Sequence, residues 1–285
     1  MTASHRSPAA RISDADVDLL ERDGVILLRG MFEPRWLELV ARGIERDMAN
    51  PGRYFKDNSA PGSAGRYLTD FWAWYHIPEF RDYALQSPAA AIAARFLRCT
   101  DVVFLEDNWF VKEPGAAGRT PWHQDQPYYD LVGAMLSVWM PLDAVTRDNG
   151  IEFVRGSHRW GKLFIPSDFR TGAPSQDPTG TPYDLIPDIE ARRVDFDIVG
   201  WTMEPGDCIV FTATTLHGAP GNPSVTRTMR RMSTRWVDRS ARFFPRGLAY
   251  SDIIGRERMV PDQPLASCAD LFPTVNVGQA VAPGS

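Results

Sequence analysis

Two short stretches, Trp122-His123-Gln124-Asp125 and the distant Leu216-His217-Gly218, constrain this chain more than any other feature. Side chains alternate faces along a strand, so a histidine and a carboxylate two residues apart point the same way. A histidine delivered by a second strand completes a group of three. Two imidazoles and one carboxylate on one face of a metal leave the opposite face open, which is the arrangement of non-haem Fe(II) oxygenases. His217 follows Glu204-Pro205-Gly206-Asp207 and the apolar run Cys208-Ile209-Val210-Phe211, a turn feeding a buried strand. The expected metal ligands, and with them the catalytic centre, are therefore His123, Asp125 and His217.

Around this pair of motifs the chain changes period. Ser13-Asp14-Ala15-Asp16 carries the capping residues of a helix that ends near Asp23-Gly24. Val25 to Leu28 reads as a buried strand, Met31 to Asn50 as a helix stopped by Pro51-Gly52, Asn58 to Gly65 as a loop and Ser87 to Leu97 as another helix. From Val102 onward strands dominate: Val102 to Val111, Met135 to Pro141, Ile151 to Val154, Ile198 to Met203, Cys208 to Thr212 and Met232 to Val237. Short strands after a helical start predict a mainly β fold, a jelly roll with helices packed outside. Asp148-Asn149-Gly150 has the composition of a hairpin turn. Pro166 to Pro187 is long and polar and reads as a lid over the substrate. Ala280 to Ser285 reads as a frayed tail.

Composition narrows the partners. A 285-residue chain with 44% apolar residues can bury one substantial core, so a single domain over 1–285 is expected, with a helical part at about 13–100, a β core at about 101–245 and an extension at 246–285. The net charge of −5 argues against nucleic acid or an anionic membrane as partner. No apolar stretch is long enough to span a bilayer and Met1 to Arg11 lacks a signal-peptide core, so a cytoplasmic protein, monomeric or homodimeric, acting on a small molecule is expected. Cys99, Cys208 and Cys268 are odd in number and far apart, which fits core packing better than a disulfide framework or a cysteine zinc site.

The chain resembles the phytanoyl-CoA dioxygenase family of Fe(II)/2-oxoglutarate-dependent oxygenases. The resemblance rests on Trp122-His123-Gln124-Asp125, Ser137-Val138-Trp139-Met140-Pro141-Leu142-Asp143, Asp148-Asn149-Gly150 leading to Arg155-Gly156-Ser157-His158, and His217-Gly218 followed by Asn222, Ser224 and Arg230-Arg231. It covers roughly residues 13 to 245. It implies a cupin-like double-stranded β-helix, with Fe(II), 2-oxoglutarate and O2 as the cofactor set and hydroxylation coupled to release of succinate and CO2. It also implies an arginine for the distal carboxylate of 2-oxoglutarate, about eleven residues after the second histidine. Position 228 is Thr, so Arg230 is the expected anchor across a two-residue insertion, with Arg231 on the opposite face and Arg227 as the next alternative. Trp139 matches an aromatic of the family's cosubstrate pocket, and Thr120 a common polar contact. The family's serine two residues after the second histidine is Ala219 here, and Thr120 or Asn108 is expected to replace its hydrogen bond. Gln126, Tyr128 and Tyr129, just past the metal strand, are expected at the substrate mouth. His158 is expected to be structural, and His76 to be packed or to reach substrate from the helical side.

Two other readings use the same residues. A divalent-metal hydrolase or lyase would need the same three ligands, but has no need of a carboxylate anchor after His217. A non-catalytic ligand-binding barrel would keep an intact polar triad buried without using it, which is unfavourable. No G-x-G-x-x-G, phosphate loop or G-x-S-x-G elbow occurs in the required context.

Overall fold

Ser13 caps α1 (Asp14–Asp23): its hydroxyl accepts from the Asp16 N–H while the Asp16 carboxylate accepts from the Ser13 N–H, satisfying two otherwise orphaned donors. Gly24 ends the helix at φ 79°, where an added Cβ would lie 2.4 Å from His158 Nδ1 and 2.5 Å from Thr215 Oγ1. The chain then enters β1 (Val25–Leu28). α2 (Pro34–Ala49) starts three residues later than the periodicity suggests, because the proline favours the first helical turn and holds Glu33 extended before it. β2 (Lys56–Asp57), β3 (Tyr67–Phe71), α3 (Pro78–Gln86) and α4 (Ala89–Phe96) complete the first part. The structure is a computed structural model and describes residues 8–177, 179, 181–247 and 253–278, so the expected tail at 280–285 lies outside the described residues.

The remaining strands are β4 (Asp101–Lys112), β5 (Thr120–His123), β6 (Leu131–Val132), β7 (Met135–Pro141), β8 (Glu152–Val154), β9 (Ile198–Val199), β10 (Cys208–Thr212), β11 (His217–Ala219), β12 (Met229–Asp238), β13 (Arg242–Phe243) and β14 (Thr274–Asn276). They form a large sheet in the order β1-β10-β7-β12-β4-β3-β2, with β14 also on β4, a small sheet β5-β11-β8-β9 and a ribbon β13-β6. The strand pairings are antiparallel. Two such sheets packed face to face make the jelly roll, with Val25, Trp139, Ile151, Phe153, Ile209 and Phe211 between them. The other face of the large sheet, including Trp109, Met232 and Trp236, is covered by the helices. Both faces of the sheet's central strands are thus buried, and with them polar residues such as Glu106, Asn108, Lys112, Arg231, Ser233 and Arg235.

Those polar positions follow from register. Along β12 the alternation turns Met232 and Trp236 to the helices and Arg231, Ser233 and Arg235 to the interior. Arg235 pairs with Glu106, yet Trp236 pairs with Phe104, so a bulge skips Leu105 and switches the faces of β4. Glu106, Asn108, Phe110 and Lys112 consequently line the interior, while Phe104 joins the helix-side core.

Two expectations are corrected. Residues 148–150 do form a turn, with the Asn149 side chain accepting from the Thr146 N–H, but it crosses from the large sheet to the small one and neither Asn149 nor Gly150 takes a positive φ. The strand expected from Ile198 to Met203 ends at Val199, and Met203 forms only an isolated bridge with Val145.

Candidate metal centre and its two cavities

His123 ends β5 and His217 begins β11, and the register sets them directly opposite each other. Their ring centroids are 4.1 Å apart. Asp125 lies two residues past His123, and its Oδ1 is 3.6 Å from His123 Nε2 and 3.7 Å from His217 Nε2. All three side chains are buried. Each histidine is oriented from behind: His123 Nδ1 is 2.8 Å from the Pro121 carbonyl, and His217 Nδ1 is 2.9 Å from the Thr215 carbonyl. A carbonyl only accepts, so each Nδ1 carries the proton and each Nε2 presents a lone pair to the shared centre. Burial, reinforced by His123, pushes the His217 imidazole down to about 3, so it is neutral at physiological pH. Burial alone would raise Asp125, but Arg235 and the two histidines outweigh it and hold the carboxyl well below the usual range. Two imidazoles and one carboxylate, converging within 4.8 Å, are a metal-binding donor set.

Two cavities meet at this centre. The narrower one is lined by Lys112, Thr120, Trp139, Met229, Arg231 and Ser233 beside His123 and His217. It holds a surplus of positive charge. The Arg231 guanidinium lies 5.7 Å from the Trp139 ring centroid, and its Nη1 donates to the Arg230 and Asp143 carbonyls. Its Nη2 is buried without a partner, as is the Ser233 hydroxyl. Lys112 donates to the Pro220 carbonyl at 2.7 Å and to Thr120 Oγ1 at 3.4 Å, and sits over the Tyr67 ring. Burial, with Arg119 and Arg231 nearby, pulls its ammonium down to about 7.

The wider cavity, of about 290 Å³, opens on the His123 and Asp125 side. Tyr54, Phe71, Trp72, Phe110, Tyr128 and Phe169 supply aromatic walls. The Phe169 ring meets His123 edge-on at 4.9 Å.

The residues expected from sequence divide accordingly. Thr120 and Trp139 join the triad in the narrow cavity, and Tyr128 and Tyr129 line the wide one. Asn108 lies in the wide cavity rather than beside the expected cosubstrate contacts. Gln126 turns away and donates to the Leu131 carbonyl. Arg230 requires the largest correction: the alternation of β12 turns it out of the interior, where it pairs with Asp143 at 2.7 Å and stays partly exposed. Arg227 is exposed, and Arg231 is the arginine of this cluster that enters the narrow cavity. His158 Nε2 donates to the Glu21 carbonyl at 3.0 Å, fixing its turn to α1, and His76 pairs with Asp47. Lys112, Ser233, Glu106 and Arg235 were not singled out by sequence. Their signal is polar residues at every second position of otherwise buried strands, Glu106-Asn108 and Arg231-Ser233-Arg235.

Comparison with known proteins agrees with this architecture. The chain is similar to Dioxygenase lolE1 of Epichloe uncinata, with 24% identity over 255 residues covering 84% of this chain and 88% of that protein. The fold is similar to that of the non-haem alpha ketoglutarate dependent carbocyclase SnoK from nogalamycin biosynthesis, with a TM-score of 0.71 and 21% identity over 94% of this chain and 98% of that one. It is also similar to the epimerase SnoN in complex with Fe3+, alpha ketoglutarate and nogalamycin RO, with a TM-score of 0.70 and 22% identity over 93% of this chain and 98% of that one. The phytanoyl-CoA dioxygenase (PhyH) family model matches residues 20–232, and the chain belongs to that family.

Proposed function

We propose that this protein is an Fe(II)- and 2-oxoglutarate-dependent dioxygenase that hydroxylates a small molecule and releases succinate and CO2. The observation that carries the reading is the position of the triad between two cavities of unlike chemistry, one with uncompensated cations and one walled by aromatic rings. The donor set fits Fe(II), since three protein ligands on one face leave the opposite positions open. SnoN, of similar fold, was solved with Fe3+ and alpha ketoglutarate. When bound, iron and 2-oxoglutarate supply the oxidising chemistry with O2, and the protein supplies binding, orientation and electrostatics.

The chain's own residues divide that work. Arg231 offers its partnerless Nη2 to the distal carboxylate of 2-oxoglutarate, with Lys112, Thr120 and Ser233 as further donors at the same end. Trp139 flanks the chain of the cosubstrate. Tyr128, Phe71 and Phe169 hold the apolar body of the substrate and keep water from the reacting C–H bond. Asp125 occupies the position that a halide would need, which favours hydroxylation over halogenation.

The test is a screen of carboxylates, amino acids, acyl thioesters and terpenoid acids with Fe(II) and 2-oxoglutarate, following succinate and the mass of the product. Gain of one oxygen is expected. Succinate release with loss of two hydrogens, or with unchanged mass, would overturn the hydroxylase assignment in favour of ring closure or epimerisation. His217→Ala should bind no iron at this site while keeping its circular dichroism spectrum, because a core of this size does not depend on the metal to fold.

A further inference from the structure

Arg235 is the cation in direct contact with the triad, it borders both cavities, and the proposed function gives it no role. Its Nε and Nη2 donate to Asp125 Oδ2 and Oδ1 at 3.0 and 2.9 Å, and its Nη1 donates to Glu106 Oε1 at 2.8 Å. The Tyr129 hydroxyl donates to the same Glu106 oxygen. The three charged side chains are 8%, 2% and 4% exposed, so water screens them little. Ser137 adds a second donor to Asp125 Oδ2 at 2.8 Å. Oδ1, by contrast, is the oxygen turned to both histidine Nε2 atoms.

We infer that Arg235, pinned by Glu106, is a positioning residue that restricts Asp125 to ligation through a single oxygen and weakens it as a donor, keeping the coordination face open at the expense of iron affinity. The argument has two parts. Oδ2 cannot turn to the metal without breaking its bonds to both Ser137 and Arg235, so a second carboxylate oxygen is kept out of a position needed for cosubstrate or O2. A guanidinium is always charged, and one placed on the ligand carboxylate opposes a dication. Glu106 offsets that charge from the far side. The two residues therefore act on a metal ion with opposite signs, whereas two residues that merely scaffold the site would act with the same sign. The inference rests on the triad being the metal site.

Anaerobic Fe(II) titration against a competing chelator tests it with wild type, Arg235→Gln, Arg235→Lys, Glu106→Gln and His217→Ala at pH 8, above the value of about 7 to which burial raises the Glu106 carboxyl. Arg235→Gln should bind Fe(II) roughly tenfold tighter and Glu106→Gln roughly tenfold weaker, as expected when one charge near a dication is removed at intermediate dielectric. Arg235→Lys keeps the charge and should return the affinity toward wild type. In Arg235→Gln the visible charge-transfer band of the Fe(II)–2-oxoglutarate chelate should shift or weaken as Asp125 takes up a second position. Unchanged or weaker Fe(II) binding by Arg235→Gln, or a shift of both Gln variants in the same direction, overturns the inference. Should Arg235→Gln not fold, Glu106→Gln decides alone, and unchanged or tighter binding there is the overturning result. Wild-type affinity in His217→Ala would instead defeat the metal-site assignment itself.

Discussion

Neighbouring arginines on β12 meet opposite environments, and that contrast makes a sharp test. Arg230 spends its charge on Asp143 at the edge of the fold, whereas Arg231 brings a partnerless nitrogen into the narrow cavity. Arg231→Ala should weaken 2-oxoglutarate binding to the Fe(II) protein by a hundredfold or more, since removing one partner of a buried charge pair costs roughly 3–5 kcal/mol. Arg230→Ala should change it little, and equal losses in isothermal titration would remove Arg231 from the anchoring role. Lys112 gives a second, pH-dependent test. Its value of about 7 lies below the ordinary 10.5, so between those limits the folded state holds fewer protons than the unfolded one. Stability of the ligand-free protein should therefore rise with pH across that window, the charged lysine being the destabilising form. A bound dicarboxylate favours the charged lysine, so binding takes up a proton. Affinity for 2-oxoglutarate should fall as pH rises above 7, by at most about tenfold per unit, and Lys112→Met should abolish the dependence. Buffers of different ionisation enthalpy would detect the proton directly.

Elements decide which of these residues meet, and here the sequence was legible in part. The triad could be read because its spacing is local, although Asp125 lies past the end of β5 in helical backbone rather than on the strand that period two assumes, and a single turn-and-strand signal delivers His217. The face of an arginine is not local. It depends on how β12 is registered against β4 and β7, which is set by the length of the connection from Ala219 to Met229 and cannot be counted from composition. The contact of Arg235 with Glu106 lies across that same register and beside a bulge, so no spacing rule reveals it. The jelly roll and most of its strands were legible, whereas the turn at 148–150 was recognisable only as a turn, because its residues do not say which sheet comes next. The segment from 166 to 187 reads as a lid from its length and polarity. Its described residues add two contacts to that reading: Ser167 exchanges hydrogen bonds with the Tyr128 hydroxyl at 2.8 Å, and Phe169 packs on His123. Phe169→Ala, or a shortened segment, should release more succinate than hydroxylated product, since water then reaches the oxidising site. Measuring both products in one reaction decides it, and an unchanged ratio means that the segment is not a lid.

At the scale of the whole molecule, the two sheets contribute unequally to the centre. The small sheet supplies His123 and His217, while the large sheet supplies Arg231, Lys112, Ser233 and, through Ser137 and Arg235, the tether of Asp125. Even α1 takes part, since the Gly24 carbonyl accepts from the Thr215 hydroxyl and the Thr215 carbonyl orients His217. Ligands bound between the sheets should stabilise the fold by mass action, about 2.7 kcal/mol at a hundred times the dissociation constant, or a rise in Tm of roughly 4–5 °C for a chain of this size. Differential scanning calorimetry should find that rise with Fe(II) and 2-oxoglutarate in the wild type and not in His217→Ala. The opposed histidines on β5 and β11 carry a further consequence, because their contact is made by two strands of three or four residues with few ladder bonds of their own. Iron would act there as a clasp. In its absence the amides of these two strands should exchange with deuterium well before those of β4 and β12, so that the protein wears out from its mouth while its helix-backed wall is still closed.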